Sequence, residues 1–165
     1  MSEDIRKMID KVKKFKQFIS ESNTTNYINW SDLPIQVKND ITENLRDNIR
    51  YIKEEYWNSE ALRDSIDDSI NKPIFKIEYK NVDVLYNELI QIGWGISEDN
   101  VKRLISALKN GAELDPIILE NGKFFDGGHR LTAYKKMKKE LIPTIDIGFL
   151  MNFDWEKWDN GQADF

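Results

Sequence analysis

Apolar residues in the first part of the chain recur every three to four positions, which is the spacing of amphipathic helices. The polar stretch 20–29 interrupts this spacing and predicts a loop. Ser31 to Pro34 predicts a helix start, with a capping side chain and a proline in the first turn. Ser59 is the predicted cap of a further helix. We therefore expect an N-terminal helical segment over residues 1–72, with helices over residues 3–20, 31–56 and 60–70.

Beyond position 72, short β-branched runs alternate with stretches of helical spacing. The pattern predicts strands over residues 73–79, 116–120, 123–125 and 142–147, and helices over residues 82–92, 98–110 and 131–139. Asn121-Gly122 separates the two middle strands, and both residues accept the positive φ of a type I′ hairpin turn. Ser97 is the predicted cap of the second helix, and Pro143 is placed at the start of the last strand, where proline is tolerated. The predicted fold class is α+β, a mixed sheet with helices.

Aromatic residues mark two further places in the chain. Trp94 lies between two glycines, where it either stacks on a base or covers the core. Residues 151–165 form an aromatic and acidic C-terminal tail, which we expect to pack on the domain before it; the alternative is docking on another protein. The aromatic side chains in question are Phe149, Phe153, Trp155 and Trp158.

The junction between the strand at 123–125 and the next helix carries the residues best suited to chemistry, Asp126-Gly127-Gly128-His129-Arg130. Two glycines let the backbone approach a ligand closely, and the free N–H groups of the following helix favour an anion. Arg130 offers a guanidinium fork suited to phosphate, and His129 adds a donor. Asp126 is suited to hold a metal ion or to orient His129. These residues fit both a phosphate site and a glycine turn whose Arg130 pairs with a surface carboxylate.

Composition restricts the classes of function. The chain has 165 residues, a formal net charge of −5 and 40% apolar residues, which indicates a globular protein and argues against indiscriminate binding of nucleic acid. The absence of cysteine and the single histidine exclude cysteine and multi-histidine metal sites, whereas Mg²⁺ held by carboxylates stays open. No stretch resembles a signal peptide or a membrane span, so we expect a cytoplasmic protein without a membrane partner.

The order strand, turn, strand, D-G-G-H-R, helix and I-P-strand resembles the ParB/sulfiredoxin superfamily. Its members carry G-x-H-R or G-E-R-R at this point, and Ala133 and Ile142-Pro143 fit the rest of the pattern. The resemblance implies a ParB/sulfiredoxin-like domain over residues 73–150. It also implies that the turn from Gly127 through Gly128 and His129 to Arg130 binds the phosphates of a nucleotide, ATP or CTP.

Departures from the superfamily pattern restrict the branch that the chain resembles. Sulfiredoxins need a thiolate where this chain has Gly128, so sulfiredoxin activity is excluded. The D-G-H-H-R of free serine kinases is the nearest pattern. A helix face contacts the nucleotide in the sulfiredoxin branch, which implies Asn100 and Arg103 as further ligands, while Ala107 on that face offers no hydrogen bond. An acid follows the first strand in the kinase branch, which implies Glu78 as the general base.

Three hypotheses for the function follow. The first is an NTPase or phosphotransferase that binds ATP or CTP, with Mg²⁺ at Asp126 and His129 stabilising the transferred phosphoryl group. Its base is Glu78, with Asp83 as the second choice. The second hypothesis is a non-catalytic module that binds nucleotide and presents its helical half or its aromatic tail to a protein partner. The third is a DNA-associated module or nuclease, which the acidic composition disfavours, with phosphate contacts from Lys135, Lys136, Lys138 and Lys139.

Overall fold

The computed structural model describes residues 26–49 and 58–165, together with Glu3 and Arg6. The described residues form a mixed α+β structure. Its strands are β1 (Asn26–Asn29), β2 (Ile74–Asn81), β3 (Ile117–Glu120), β4 (Lys123–Asp126) and β5 (Leu141–Asp146). Its α-helices are α1 (Ile35–Asn48), α2 (Ser59–Asp67), α3 (Val82–Ile92), α4 (Glu98–Lys109), α5 (Gly128–Lys136), α6 (Gly148–Met151) and α7 (Trp155–Asp159). The α+β class is therefore confirmed.

The five strands form one mixed sheet in the order β1-β2-β5-β3-β4. β1 runs antiparallel to β2, with Asn26 opposite Ile77. β3 runs antiparallel to β4 and parallel to β5, with Ile117 opposite Thr144. The parallel pairing requires a crossover, which α5 supplies between β4 and β5.

The chain divides into two compact units, one formed by Met1–Ile77 with Phe149–Phe165 and the other by Glu78–Gly148. In the first unit, Trp30 is fully buried and its indole nitrogen donates to Asp67 Oδ1 at 2.6 Å. The Phe75 ring lies 6.1 Å from the Trp30 ring, centroid to centroid. Among the described residues of this unit, the buried aliphatic ones are Ile28, Leu33, Val37, Ile41, Leu45, Leu62, Ile66, Ile77 and Leu150.

Several predictions for the first unit need correction. The predicted loop over residues 20–29 contains β1, because pairing with β2 makes a strand of residues that show little alternation of their own. Trp30–Asp32 is a separate 3₁₀ turn capped by the Asn29 side chain, and α1 begins only after Pro34. Asn58, not Ser59, caps α2 by accepting from the Glu60 N–H.

Parts of the predicted helices lie outside the described residues. Of the helix predicted over residues 3–20, only Glu3 and Arg6 are described, and both are helical. The helix predicted over residues 31–56 is described up to position 49, and its remainder lies outside the described residues. Within the described part of the chain, no helix combines the length and apolar character needed to cross a membrane.

The aromatic tail belongs to the first unit. Phe165 stacks on Phe153 with ring centroids 5.0 Å apart, and its ring also contacts those of Trp155 and Trp158. Trp155 is buried and donates its indole N–H to the Leu150 carbonyl at 2.9 Å. The tail residues therefore pack against one another around Trp155.

In the second unit, α3, α4 and α5 match the predicted helices in order and type. α3 ends at Gly93, which has a φ of 76°, and Ser97 caps α4 by accepting from the Asn100 N–H, as predicted. The type I′ hairpin is confirmed as well, since Asn121 and Gly122 have φ values of 50° and 81°. The core between the helices and the sheet consists of Val82, Leu85, Leu89, Ile117, Leu119, Phe124, Leu131, Tyr134 and Ile142.

Two boundaries in this unit differ from the prediction. α5 begins at Gly128 instead of position 131, because Gly127 takes up the turn and the Leu131 N–H already bonds to the Gly127 carbonyl at 2.9 Å. It ends early because Lys138, with a φ of 57°, forms a Schellman-type end. Pro143 is the third residue of β5 and lies one position before the residues that pair with β3. The pairing of β5 with β3 therefore does not need the N–H that proline lacks.

Candidate functional site

The five residues that the sequence singled out form the junction between β4 and α5. Gly127 has a φ of 107°, a left-handed conformation that L residues rarely adopt, and α5 starts at the next residue. The N-cap residue is Gly127 itself, which has no side chain to cap α5. The N–H groups of its first turn have no carbonyl partner within the helix, and the positive end of the helix dipole lies there. The junction is therefore electrostatically suited to an anion.

A β-bulge precedes the junction. Ile118 pairs with Asp126 and Leu119 pairs with Phe124, which leaves Phe125 as an extra residue on β4. Because paired residues share a face of the sheet, the bulge places Asp126 and Phe124 on opposite faces. Asp126 Oδ1 accepts from the Gly127 N–H at 2.7 Å, so the carboxylate holds the turn that starts the helix.

The two glycines are buried, and side chains pack closely against both. A Cβ at Gly127 would lie 2.9 Å from Ile117 Cδ1 and 3.0 Å from Arg130 Nη2. A Cβ at Gly128 would lie 3.0 Å from Ile96 Cδ1 and 3.2 Å from Leu89 Cδ1. The glycines thus allow neighbouring side chains to close over the backbone.

Arg130 folds back along the junction and is partly buried. Its Nη1 donates to the Pro116 carbonyl at 3.0 Å, and the guanidinium lies beside Gly127. Asp115 is close enough for the guanidinium to affect the pKa of its carboxyl. The guanidinium is therefore held by the chain before β3, and the phosphate site and the glycine turn with a paired Arg130 both stay open.

His129 links α5 to the loop before α4. Its Nε2 accepts from the Ser97 backbone N–H at 3.0 Å. An accepting nitrogen carries no proton, so a neutral ring in this position has its proton on Nδ1. Ser97 also caps α4 through its hydroxyl, and α4 packs against α5. His129 therefore fixes the N-terminal ends of two neighbouring helices relative to each other.

The two polar residues predicted on α4 contact each other. Arg103 Nη2 donates to the Asn100 side-chain oxygen, and the Asn100 N–H is the group that Ser97 caps. Both residues lie on the helix whose start is joined to His129. The structure therefore brings Asn100 into the neighbourhood of the junction, one turn into α4.

The two candidate bases are each paired with a lysine. Glu78 lies on β2, and its carboxylate is 2.6 Å from Lys80 Nζ. Asp83 lies in the first turn of α3, and its carboxylate is 2.6 Å from Lys135 Nζ. Lys135 also lies over the Tyr86 ring, 5.6 Å from its centroid. A role of either carboxylate as a base stays a prediction, and it requires that the ion pair be broken first.

Metal binding at Asp126 also stays a prediction. Among the described residues there is no group of three His, Asp or Glu side chains arranged to hold a metal ion. Mg²⁺ in nucleotide sites is held by one or two carboxylates together with substrate phosphates. Asp126 fits that type of site only when a phosphate ligand is bound beside it.

One carboxylate that sequence reasoning missed organises the far end of the hairpin. Asp146 Oδ1 accepts from the N–H groups of Asn121 at 3.0 Å and Gly148 at 2.8 Å, and Oδ2 accepts from that of Gly122 at 2.6 Å. The signal in the sequence is an acid at the end of a strand followed closely by a glycine. That signal is weak, because the partners at the hairpin are 24 and 25 residues away.

Ionisable side chains near Arg130 have shifted pKa values. Burial raises the pKa of Asp115, and the nearby Arg130 only partly offsets this effect. Burial raises the pKa of Tyr134 as well, with the Leu114 backbone hydrogen bond acting in the opposite direction. The pKa of Tyr79 is raised by burial and by the charge of Glu113. Burial therefore disfavours the charged forms of these groups, and Arg130 acts in the opposite direction on Asp115 and Tyr134.

Asp115→Asn is expected to remove part of the pH dependence of stability. Because the folded chain keeps the Asp115 proton at a pH where the unfolded chain releases it, stability falls as the pH rises from roughly 4 through the folded pKa. Urea denaturation at a series of pH values should show a smaller loss between pH 4 and pH 7 in the variant. Parallel curves for the variant and the wild type would contradict the assignment.

Comparisons with family models, with curated proteins and with solved structures find no match for this chain.

Proposed function

We propose that this protein binds a nucleotide, ATP or CTP, through its phosphates at the junction of β4 and α5. The observation that carries the proposal is the start of α5 at a glycine N-cap, Gly127, beside the guanidinium of Arg130. A phosphate there would receive N–H groups, the helix dipole and a fixed positive charge together. The resemblance of Asp126 to Arg130 to the D-G-x-H-R turn supports the same ligand and a ParB/sulfiredoxin-like domain over residues 73–150.

Exposure to solvent decides which groups of the junction can contact the phosphates. Gly127 and Gly128 are buried, whereas His129 and Arg130 are partly exposed. The bond to Pro116 holds the guanidinium in place before a ligand arrives, which reduces the entropy lost on binding. The His129 Nδ1–H is a donor that the bond from Ser97 to Nε2 does not use. Mg²⁺ would be shared between Asp126 and the phosphates.

Binding without turnover is the form of this function that the geometry supports best. Both candidate bases, Glu78 and Asp83, are held in ion pairs of 2.6 Å. Phosphoryl transfer to a hydroxyl substrate needs a carboxylate placed to accept the hydroxyl proton, and these two carboxylates already contact the ammonium groups of Lys80 and Lys135. We therefore place the nucleotide-regulated module ahead of the kinase or NTPase. The DNA-associated alternative is supported least, since Lys135 contacts Asp83 and Tyr86.

The test is the stabilisation of the protein by ATP, CTP, GTP and ADP with Mg²⁺, measured by thermal and urea unfolding. At 100 times its dissociation constant, a specific ligand adds about 2.7 kcal/mol to the free energy of unfolding. Arg130→Ala should abolish this gain, and Arg130→Lys should weaken binding at least about tenfold because it keeps the charge and loses the fork.

Controls separate loss of binding from loss of folding. Arg46→Ala, on α1 of the first unit, removes a charge that is paired with Asp47 and should leave the nucleotide effect unchanged. Far-ultraviolet circular dichroism of each variant checks that it is folded. Absence of stabilisation by every nucleotide would refute the proposal, as would equal stabilisation of the wild type and a folded Arg130→Ala variant.

A further inference from the structure

The loop between α3 and α4 carries an exposed indole. Trp94 is 47% exposed, although Trp30 and Trp155 in the same chain are buried. Its contact with the core is a T-shaped one with Phe124, with ring centroids 5.7 Å apart and planes at 70°. An edge-on contact of this kind covers one side of a ring and leaves the other open.

Two contacts fix this loop to the start of α5. Ile96 Cδ1 lies against Gly128, at 3.0 Å from the position of a Cβ there, and the Ser97 N–H bonds to His129 at 3.0 Å. At the other end of the loop, the Gly93 N–H bonds to the Leu89 carbonyl at 3.2 Å. Trp94 is therefore held two residues from a side chain that touches the proposed phosphate site.

Trp94 is flanked by two glycines, Gly93 and Gly95. A Cβ built on either glycine would meet no heavy atom within 4 Å. The exposed indole is therefore not covered by the side chains of its neighbours in the sequence.

We propose that Trp94 is the platform on which the base of the bound nucleotide stacks. This inference rests on the proposed function, since it takes the phosphates to lie at the start of α5. The base would then contact Trp94, on the loop that bonds to α5 through Ser97, and the phosphates would contact His129 and Arg130 at the start of that helix. Stacking on an indole does not require a particular base, because every base has a π-face. Stacking on Trp94 would therefore increase the affinity for any nucleotide relative to the affinity for a phosphate ligand without a base.

The test compares ligands with and without a base. Isothermal titrations with ATP, CTP and inorganic tripolyphosphate, each with Mg²⁺, are made on the wild type, Trp94→Ala and Trp94→Phe. Trp94→Ala should weaken the binding of ATP and CTP about tenfold or more and leave the affinity for tripolyphosphate unchanged. Trp94→Phe should retain most of the nucleotide affinity. Tyr27→Ala, which truncates an exposed aromatic residue on β1, is the matched control and should change none of these affinities.

The outcomes separate this inference from the proposed function. If tripolyphosphate and ATP bind in an Arg130-dependent manner and Trp94→Ala weakens the binding of neither, Trp94 does not stack on the base, and the proposed phosphate site is supported. If Trp94→Ala weakens both ligands equally, Trp94 supports the loop and does not stack on the base, which also overturns the platform. If neither ligand binds the wild type, both proposals fail.

Discussion

Trp30→Ala should lower the free energy of unfolding by about 3 to 5 kcal/mol, the range for truncating a large buried aromatic residue. Trp30 is fully buried, and its ring contacts the Phe75 ring and the Lys38 ammonium group, whose Nζ lies 5.4 Å from the ring centroid. The truncation also removes the N–H that donates to Asp67. Urea denaturation followed by circular dichroism measures the loss.

Two further variants show which part of the Trp30 side chain matters. Trp30→Phe keeps a ring beside Phe75 and loses only the donor to Asp67 and part of the volume, so a loss of about 1 to 2 kcal/mol is expected. Tyr27→Ala, at an exposed position three residues earlier, should cost about 1 kcal/mol or less. Equal losses in Trp30→Ala and Tyr27→Ala would show that Trp30 is not the centre of this core.

Gly148→Ala should destabilise the protein by about 3 kcal/mol, the upper end of the usual range for overpacking. A Cβ at this position would overlap the Asn121 side-chain oxygen and lie 2.8 Å from the Asn121 backbone nitrogen. The same nitrogen donates to Asp146, which also accepts from Gly148. The new methyl group would therefore push apart a turn that the carboxylate holds together.

A second substitution at the contact separates the side-chain clash from the backbone clash. Asn121→Gly keeps the positive φ of the turn and removes the overlapping side chain, so the Gly148→Ala/Asn121→Gly double variant should recover part of the loss and no more. Gly95→Ala is the matched control, since its Cβ would meet no heavy atom within 4 Å and its φ is not positive. Full recovery in the double variant would contradict a backbone clash.

The structure confirms the predictions that depend on interactions between residues close together in the sequence. The hairpin turn depends on the φ preferences of Asn121 and Gly122 themselves. α4 begins at a serine that bonds three residues ahead, and α3 ends at a glycine that takes the left-handed conformation. Propensity and capping act over this range, so a single sequence carries the signal.

The predictions that failed depend on partners far along the chain. β1 exists because its four residues pair with residues 74–77, and only Ile28 of the four is buried. The Asp146 network joins the end of β5 to a hairpin more than 20 positions earlier. The partners of β1 and of Asp146 can be recognised only once the order of the strands in the sheet is known. In addition, the four residues 26–29 are too few for an alternating pattern to indicate a strand.

At the candidate site, the sequence identified the junction and missed how its residues are used. Its residue types placed Gly127 in the turn that leads into the helix, and the structure has it as the N-cap residue of α5. The close contacts of Gly128 with Leu89 and Ile96, and the bond between His129 and Ser97, arise from the packing of three helices and their loops. Spacing along the chain does not contain these contacts, so the sequence could not show that neighbouring side chains lie beside Gly128.

The contacts around Gly128 also limit how this chain can change by single mutations. The proteins that the D-G-G-H-R turn resembles carry a cysteine, histidine or glutamate at this position, and here Ile96 and Leu89 occupy the place of that side chain. A side chain at position 128 would meet the ends of the Ile96 and Leu89 side chains, so its effect depends on how far those two side chains can shift. We therefore expect a larger residue at position 128 to be tolerated best together with a smaller residue at position 96 or 89, because substitutions in contact are energetically coupled.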